Sequence, residues 1–353
     1  MRVMLPKTVE DFGRAFAMVE PEGLEGYVDG GSGREVTVRR NVEAWDAIEV
    51  RPRVLRGASA PDLSTTVLGV AEPHPVMVAP VGFQQYVHTD GGVEAARGAV
   101  AAGARYVHST FGAASFTELE AVEGLRWWFQ LYAFTDDGLN RALIERAAEA
   151  GAEAVVFTVD LAVLAHRERD AHSGFVLRGN REVPCVADVG YADARLAPVW
   201  ASLDHDISFA HLDRLVADSP VPVLVKGVLR ADDAVECVGH GAAGVVVSNH
   251  GGRQLDTAVP TSIALPEVVD AVGGRAEVIV DSGVRSGLDV AKGLALGASA
   301  VMVGRPVLWG LGVGGSAGVE RVLQLLVDGL TNAMSLSGAR NVGELDRSLL
   351  SRP

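Results

Sequence analysis

Ala243-Gly244-Val245-Val246-Val247, followed by Ser248-Asn249-His250-Gly251-Gly252-Arg253-Gln254-Leu255-Asp256, is the stretch whose reading decides the architecture. A continuous apolar run without polar alternation is what a strand buried on both faces requires, the habit of parallel sheets covered by helices. The polar residues begin where that strand stops. An imidazole, His250, stands three residues from a guanidinium, Arg253, with two glycines between them that let the backbone turn sharply. Taken locally, the stretch is either a glycine-rich turn with solvated side chains or the rim of a site. Only the rest of the chain can choose between the two.

The same pattern recurs on both sides. Apolar runs at residues 76–79, 106–109, 128–131, 154–159 and 221–225 precede the run at 244–247, and runs at 277–280 and 300–303 follow it. Between them lie helical patterns, clearest at Leu139, Leu143, Ala147 and Ala150, where spacings of four, four and three place one apolar stripe on one face before Gly151 stops the helix. Eight strand-helix units between about residues 75 and 335 predict a (β/α)8 TIM barrel. A doubly wound open sheet is the competitor, disfavoured because nothing interrupts the repeat to reverse the sheet.

Outside the repeat, residues 8–17 predict a short helix with Thr8 as N-cap. The glycine cluster at 24–33 predicts a turn holding a half-buried Tyr27, and residues 34–41 a second helix. The expected organisation is an N-terminal helical segment at 1–70 packed on a barrel at 71–340, with a tail at 341–353. One connection, about 170–206, is too long for the pattern and holds Pro184 and Pro198, which predicts a lid over the barrel mouth.

Bulk properties narrow the function. A net charge of -14 argues against a nucleic-acid or anionic-membrane partner, so any anion site must be local. Two distant cysteines, Cys185 and Cys237, argue against a disulfide framework or a zinc site. The opening Met1-Arg2-Val3-Met4-Leu5-Pro6-Lys7 lacks the apolar core of a signal peptide and no run of eighteen apolar residues occurs, so the expected location is cytoplasmic.

In a barrel of this kind the site forms just past the C-terminal strand ends. Those positions carry Pro80, Val81, Gly82 and Gln85 after the first strand and Ser109 after the second. Gln130 and Tyr132 follow at the third, and Thr158, Asp160 and then Arg167 at the fourth. Lys226 ends the fifth and His250 with Arg253 the sixth. The seventh and eighth end in Asp281-Ser282-Gly283-Val284-Arg285 and Gly304-Arg305, where glycine N–H groups and guanidinium groups suit a phosphate.

Together with Leu224-Val225-Lys226-Gly227-Val228, Phe129-Gln130-Leu131-Tyr132 and Thr158-Val159-Asp160, these segments resemble the FMN-dependent 2-hydroxy acid oxidase and dehydrogenase family, which includes glycolate oxidase, lactate oxidase and mandelate dehydrogenase. The resemblance runs from Tyr27 to about Leu336. It implies an FMN cofactor with its phosphate on Gly283, Arg285, Gly304 and Arg305 and its ring against Pro80, Val81, Gly82, Ser109, Gln130 and Thr158. Lys226 would lie at the pyrimidine edge, with Ser248, Asp281 and Ser282 also at the cofactor. The substrate carboxylate would sit between Arg167 and Arg253 with Tyr27. His250 would be the base, oriented by Asp160, and Tyr132 would bond the substrate oxygen. The implied partners are a small 2-hydroxy acid and O2, and the family suggests a homo-oligomer, a tetramer.

Two positions depart from the commoner family pattern: Gly82, where alanine is more usual, and Ser282, which replaces a glycine. A missing methyl at Gly82 predicts room for oxygen and some oxidative decarboxylation. Phe111 followed by Gly112-Ala113-Ala114 stands where glycolate oxidases often carry tryptophan, which predicts a pocket for mandelate or 4-hydroxymandelate. The Ala/Gly-rich composition is similar to the actinobacterial branch of the family that oxidises 4-hydroxymandelate. Lactate or glycolate is the alternative substrate. The long fourth loop lacks a membrane-inserting segment, which favours oxygen, with hydrogen peroxide as product, over another acceptor.

Overall fold

A computed structural model describes residues 6–19 and 23–351. The residues Met1 to Leu5 of the N-terminal reading and the last two of the tail lie outside the described residues. Three helices come first: α1 (Val9–Val19), α2 (Leu24–Asp29) and α3 (Val36–Asp46). Thr8 caps α1 as its sequence predicts, its Oγ1 accepting from the Asp11 N–H at 3.1 Å while Asp11 Oδ2 accepts from the Thr8 N–H at 3.2 Å. The expected turn at 24–33 is corrected, because its first six residues are the helix α2. Leu24 and Val28, one helical turn apart, are both buried, and their packing outweighs the glycines that dominate the local composition.

A hairpin of β1 (Thr65–Val67) and β2 (Val70–Glu72) leads into the barrel and was not foreseen. Its signal was present in Val67-Leu68-Gly69-Val70, where Leu68 (φ 50°) and Gly69 (φ 75°) form a two-residue turn with both residues in the left-handed region.

Eight parallel strands then close on themselves: β3 (Val76–Val78), β4 (Arg105–Ser109), β5 (Trp127–Leu131), β6 (Ala152–Thr158), β7 (Val223–Val228), β8 (Gly244–Val247), β9 (Glu277–Val280) and β10 (Ala300–Val303), which pairs back to β3. Their helices are α4 (Gly91–Ala101), α5 (Phe116–Glu120) and α6 (Asp137–Glu149). After β6 come α7 (Glu168–Ser173), α8 (Pro184–Asp188), α9 (Leu196–Ala201) and α10 (Phe209–Asp218). The remaining ones are α11 (Ala231–Gly239), α12 (Thr261–Val272), α13 (Gly287–Ala295) and α14 (Arg305–Ser337), the last broken at Gly314 and Gly315. The chain is a (β/α)8 barrel, as the eight apolar runs predict.

Met77, Val107, Trp128, Val156, Leu224, Val246, Ile279 and Met302, one from each strand, fill the barrel with a core of their own. Each such side chain contributes roughly 1.5–3 kcal/mol by leaving water. Val67 of the hairpin joins this core and stops its lower end. Charges finish the closure. Arg105, its side chain 1% exposed, pairs with Glu72 at 2.6 Å and Glu153 at 2.8 Å, and Arg126 reaches Glu72 at 2.9 Å.

The connection expected to be a lid, about 170–206, is neither loose nor structureless. It holds α8, α9 and the end of α7, and is tied down by the Asp188 carboxylate, which accepts from Thr117 N–H and Oγ1, both at 3.0 Å. Among the described residues no helix is long and apolar enough to cross a membrane.

Candidate active site

Strand register sets the site. In β4 and β5 Ser109 stands opposite Gln130, and in β6 and β7 Thr158 stands opposite Lys226, so four polar side chains reach the barrel's upper rim at one level. Above them opens a cavity of about 870 Å³, inside the range of roughly 300–1,000 Å³ usual for small-molecule sites.

Of the residues singled out in the sequence, Pro80, Val81, Gly82, Ser109, Lys226, Asp281, Ser282, Gly283, Arg285, Gly304 and Arg305 line the cavity. Tyr27, Phe111, Tyr132, Arg167, His250 and Arg253 line it as well. Gln130, Thr158, Ser248 and Asp160 are not among the lining residues but adjoin them: Gln130 pairs with Ser109 and Thr158 with Lys226 across the strands, Ser248 bonds Lys226, and Asp160 bonds His250.

The turn that opened the reading is held from two directions. Asn249 and Asn41 of α3 exchange amide hydrogen bonds of 2.8 and 2.7 Å, and Asp256 accepts from the Thr37 N–H at 2.9 Å at the start of α3. So pinned, His250 adopts φ 56°, an uncommon conformation for a non-glycine residue. Its Nδ1 lies 2.8 Å from Asp160 Oδ1. Asp160 reaches this position because Gly227, at φ 111°, has no side chain; a Cβ there would stand 2.6 Å from that of Asp160. Burial works to raise the Asp160 carboxyl. The charge and hydrogen bond of His250, with the Lys226 ammonium, outweigh burial and hold it below the ordinary carboxylate value.

Lys226 is buried, 3.2 Å from Asp281 Oδ2, and donates to Ser248 Oγ at 2.8 Å. Burial pulls its ammonium down, but Asp281 and then Asp160 more than compensate, so it stays protonated.

Arg167 and Arg253 line the same cavity and feel each other's charge, and no carboxylate hydrogen-bonds to Arg167. Asp170 is 3.8 Å from Arg167, too far for a hydrogen bond, and Arg167 Nε is buried without a partner. Burial first, then the charge of Arg253, pushes the Arg167 guanidinium down to about 10, still cationic at neutral pH. Arg253 uses NH1 on the carbonyls of Tyr27 (2.7 Å) and Gly30 (2.9 Å) at the end of α2, and keeps its other donors for a ligand. Two guanidinium groups facing one gap make an anion site. Burial, with the charge of Asp160 next, pushes the Tyr132 phenol well up, so it is neutral and able to donate.

In the same cavity Arg285 lies over the Trp309 ring at 5.1 Å and Arg305 donates to the carbonyls of Val28, Gly30 and Gly251 at 2.8 to 3.1 Å. Three of the five guanidinium donors of Arg305 are thereby used and two remain. Burial, then Arg253 and Arg285, pushes it down to about 9. These groups fit FMN. Gln130 Nε2 and Thr158 Oγ1 are buried without partners at the rim, as polar groups awaiting a ring with donors and acceptors would be. Gly283 and Gly304 flank the two arginines in the same cavity, giving the phosphate a cradle.

The sequence reading missed part of the wall. Phe175 and Trp200, from the 170–206 connection, line the cavity together with Leu177, Leu196 and Asp170. Trp200 packs on Phe111 with ring centres 5.1 Å apart, Phe111 on Tyr132 at 5.6 Å, and Phe175 on Tyr27 at 4.7 Å. The available signal was the presence of large aromatics in an unusually long connection between two strands. Cys185 and Cys237 are both buried away from the cavity, and burial raises both thiols, that of Cys237 to about 11, so neither is a nucleophile for a cysteine-dependent flavin reaction.

Comparison with known proteins identifies the family. The profile of a family described as FMN-dependent dehydrogenase matches residues 18–352. An L-lactate oxidase from Nostoc sp. is 42% identical over 337 residues, covering 92% of each chain. A 4-hydroxymandelate oxidase from Amycolatopsis orientalis is 41% identical over 347 residues, covering 96% of this chain and 97% of the relative. A crystal structure of mandelate oxidase superposes with a TM-score of 0.90 at 39% identity, covering 98% of this chain and 97% of that one.

Proposed function

Since the chain belongs to the family of FMN-dependent dehydrogenases and is an FMN-dependent oxidoreductase of the 2-hydroxy acid oxidase type, we propose that it oxidises an (S)-2-hydroxy acid with an aromatic side chain, mandelate or 4-hydroxymandelate, to the 2-oxo acid. The observation that carries this reading is the placement of the His250–Asp160 pair and the Arg167–Arg253 gap in one cavity whose far wall is built from Phe111, Phe175 and Trp200.

Arg167 and Arg253 bind the carboxylate, and Tyr27, whose ring lies 5.0 Å under the Arg253 guanidinium, closes that end. The α-carbon is thereby presented to His250. The Nε2 of His250 takes the proton that leaves the substrate, and Asp160, on Nδ1, holds the tautomer and balances the imidazolium. Tyr132 donates to the substrate hydroxyl oxygen, and the lid aromatics exclude water. Bound FMN supplies a two-electron acceptor. Lys226 sets a positive charge at the barrel mouth where electron uptake builds negative charge. The substrate loses two electrons and two protons, and O2 takes up both pairs to give H2O2. Gln130, Thr158, Ser109, Pro80, Val81 and Gly82 would hold the ring, and Gly283, Arg285, Gly304 and Arg305 the phosphate.

Lactate is the second reading, favoured by the similarity to an L-lactate oxidase. The test is anaerobic mixing of the purified yellow protein with (S)-mandelate, 4-hydroxymandelate, lactate and glycolate, followed by peroxide assay in air. Fastest bleaching with an aromatic acid and stoichiometric peroxide are expected. Faster bleaching with lactate overturns the aromatic assignment, and reduced enzyme that persists in air overturns oxygen as acceptor.

A further inference from the structure

Ser282 occupies a backbone position at φ 71°, in the left-handed region that favours glycine. A side chain kept there at a conformational cost invites a reason. Its hydroxyl is fully engaged inside the protein. Oγ donates to Asp281 Oδ1 at 2.7 Å and accepts from the Gly251 N–H at 3.0 Å. The other oxygen of Asp281 faces Lys226 Nζ at 3.2 Å, Lys226 donates to Ser248 Oγ at 2.8 Å, and that oxygen accepts from the His250 N–H at 3.1 Å. The peptide bond between His250 and Gly251 completes a closed ring of hydrogen bonds. Three chain segments that are remote in sequence are joined by it: β7 at Lys226, the turn after β8 at Ser248 to Gly251, and the loop after β9 at Asp281 and Ser282.

We infer that the Ser282 hydroxyl is a positioning group that locks the His250 turn to the Lys226–Asp281 pair, so that the proton acceptor and the ammonium keep a fixed separation across the cavity. The inference rests on the roles proposed above for His250 and Lys226. Glycine at 282 would adopt the backbone conformation more easily but would leave the Gly251 N–H and Asp281 Oδ1 without this partner. The hydroxyl therefore has an effect opposite in sign to that of the backbone strain, and the two can be separated.

The experiment compares the FMN-loaded parent with Ser282→Gly and Ser282→Ala. Both variants lack the hydroxyl; only alanine keeps the strain. Turnover is expected to fall about tenfold in both, the equivalent of roughly one charge-assisted hydrogen bond misplacing the base, with KM within about twofold of the parent. The reduction potential of the bound FMN, measured without substrate, is expected to become more negative in both, because Asp281 Oδ1 then faces the site without its donor and offsets the Lys226 charge. Thermal stability separates the variants, with glycine at or above the parent and alanine below it. Parental turnover and potential in Ser282→Gly, or effects confined to Ser282→Ala, overturn the inference, since conformation alone then explains the serine. Because the potential needs no substrate, it tests the ring even if the parent fails to oxidise any 2-hydroxy acid, a result that would count against the proposed function instead.

Discussion

Asp160→Asn removes one charge and little else, and its effect can be worked from the geometry. Asp160 is 12% exposed at its side chain and 2.8 Å from His250 Nδ1. The backbone of Asp160 stays in place when the side chain changes, because Gln254 Nε2 donates to its carbonyl at 2.9 Å. A charge-assisted hydrogen bond of this kind contributes about 1.5–3 kcal/mol, and a Coulomb estimate at about 4 Å with an effective dielectric near 20 gives about 4 kcal/mol as a ceiling. The imidazolium forms only as the proton moves, so the loss falls on the barrier rather than on binding. A rise of about 2–3 kcal/mol slows flavin bleaching about 30- to 150-fold. KM should change little, since Asp160 does not line the cavity. Stopped-flow anaerobic reduction with protiated and α-deuterated substrate is the assay, with the isotope effect growing as the chemical step becomes limiting. A variant that keeps its FMN and is reduced within about threefold of the parental rate would refute this account of Asp160.

Other outcomes follow from the same geometry. His250→Ala should bind FMN normally and lose about 10²- to 10⁴-fold in anaerobic reduction; rapid bleaching would remove His250 from its assigned role. Arg167→Lys keeps the charge but not the two-pronged geometry, and kcat/KM should drop about 10- to 150-fold, read from initial rates over a substrate range. Gly82→Ala brings a methyl to 3.2 Å from Phe111 Cβ, close enough that Phe111 must give slightly; mass spectrometry should show less decarboxylated product, and an unchanged product ratio would disprove the role given to Gly82. His108 is fully buried, and burial pushes it down to about 4 from 6.5. Its folded value is depressed, so the stability it contributes is fully present above pH 6.5 and is lost as pH falls towards 4, about 3 kcal/mol in all. Thermal melts across that window should show this slope in the parent and a flatter one in His108→Gln.

The barrel was legible because parallel strands covered by helices cannot alternate polar and apolar residues, and the eight runs stand out for that reason. Most rim residues were legible too, once the strands were placed, because they stand at or just past the C-terminal ends of those strands. What escaped notice depended on distant packing. The Arg105–Glu72–Arg126 closure joins residues that have no common local signal. Helix α2 hides among glycines, and its two buried anchors, Leu24 and Val28, acquire meaning only from what they pack on. Phe175 lies in a stretch without helical or strand period, and Trp200 lies in the short helix α9, whose buried face is set by distant packing, so neither ring's direction is written locally in the sequence.

The pins on the His250 turn also set an order of events in the making of the enzyme. Asn41 meets Asn249 across 208 positions, and Thr37 meets Asp256 across 219. The barrel itself shuts only when Val301 pairs with Val76. Helix α3 therefore leaves the ribosome long before its partners exist, and the chain carries it as an unfinished surface for most of synthesis. Long-separation contacts form late and slowly. Catalytic competence is accordingly expected to trail the appearance of helices and strands when the protein is refolded.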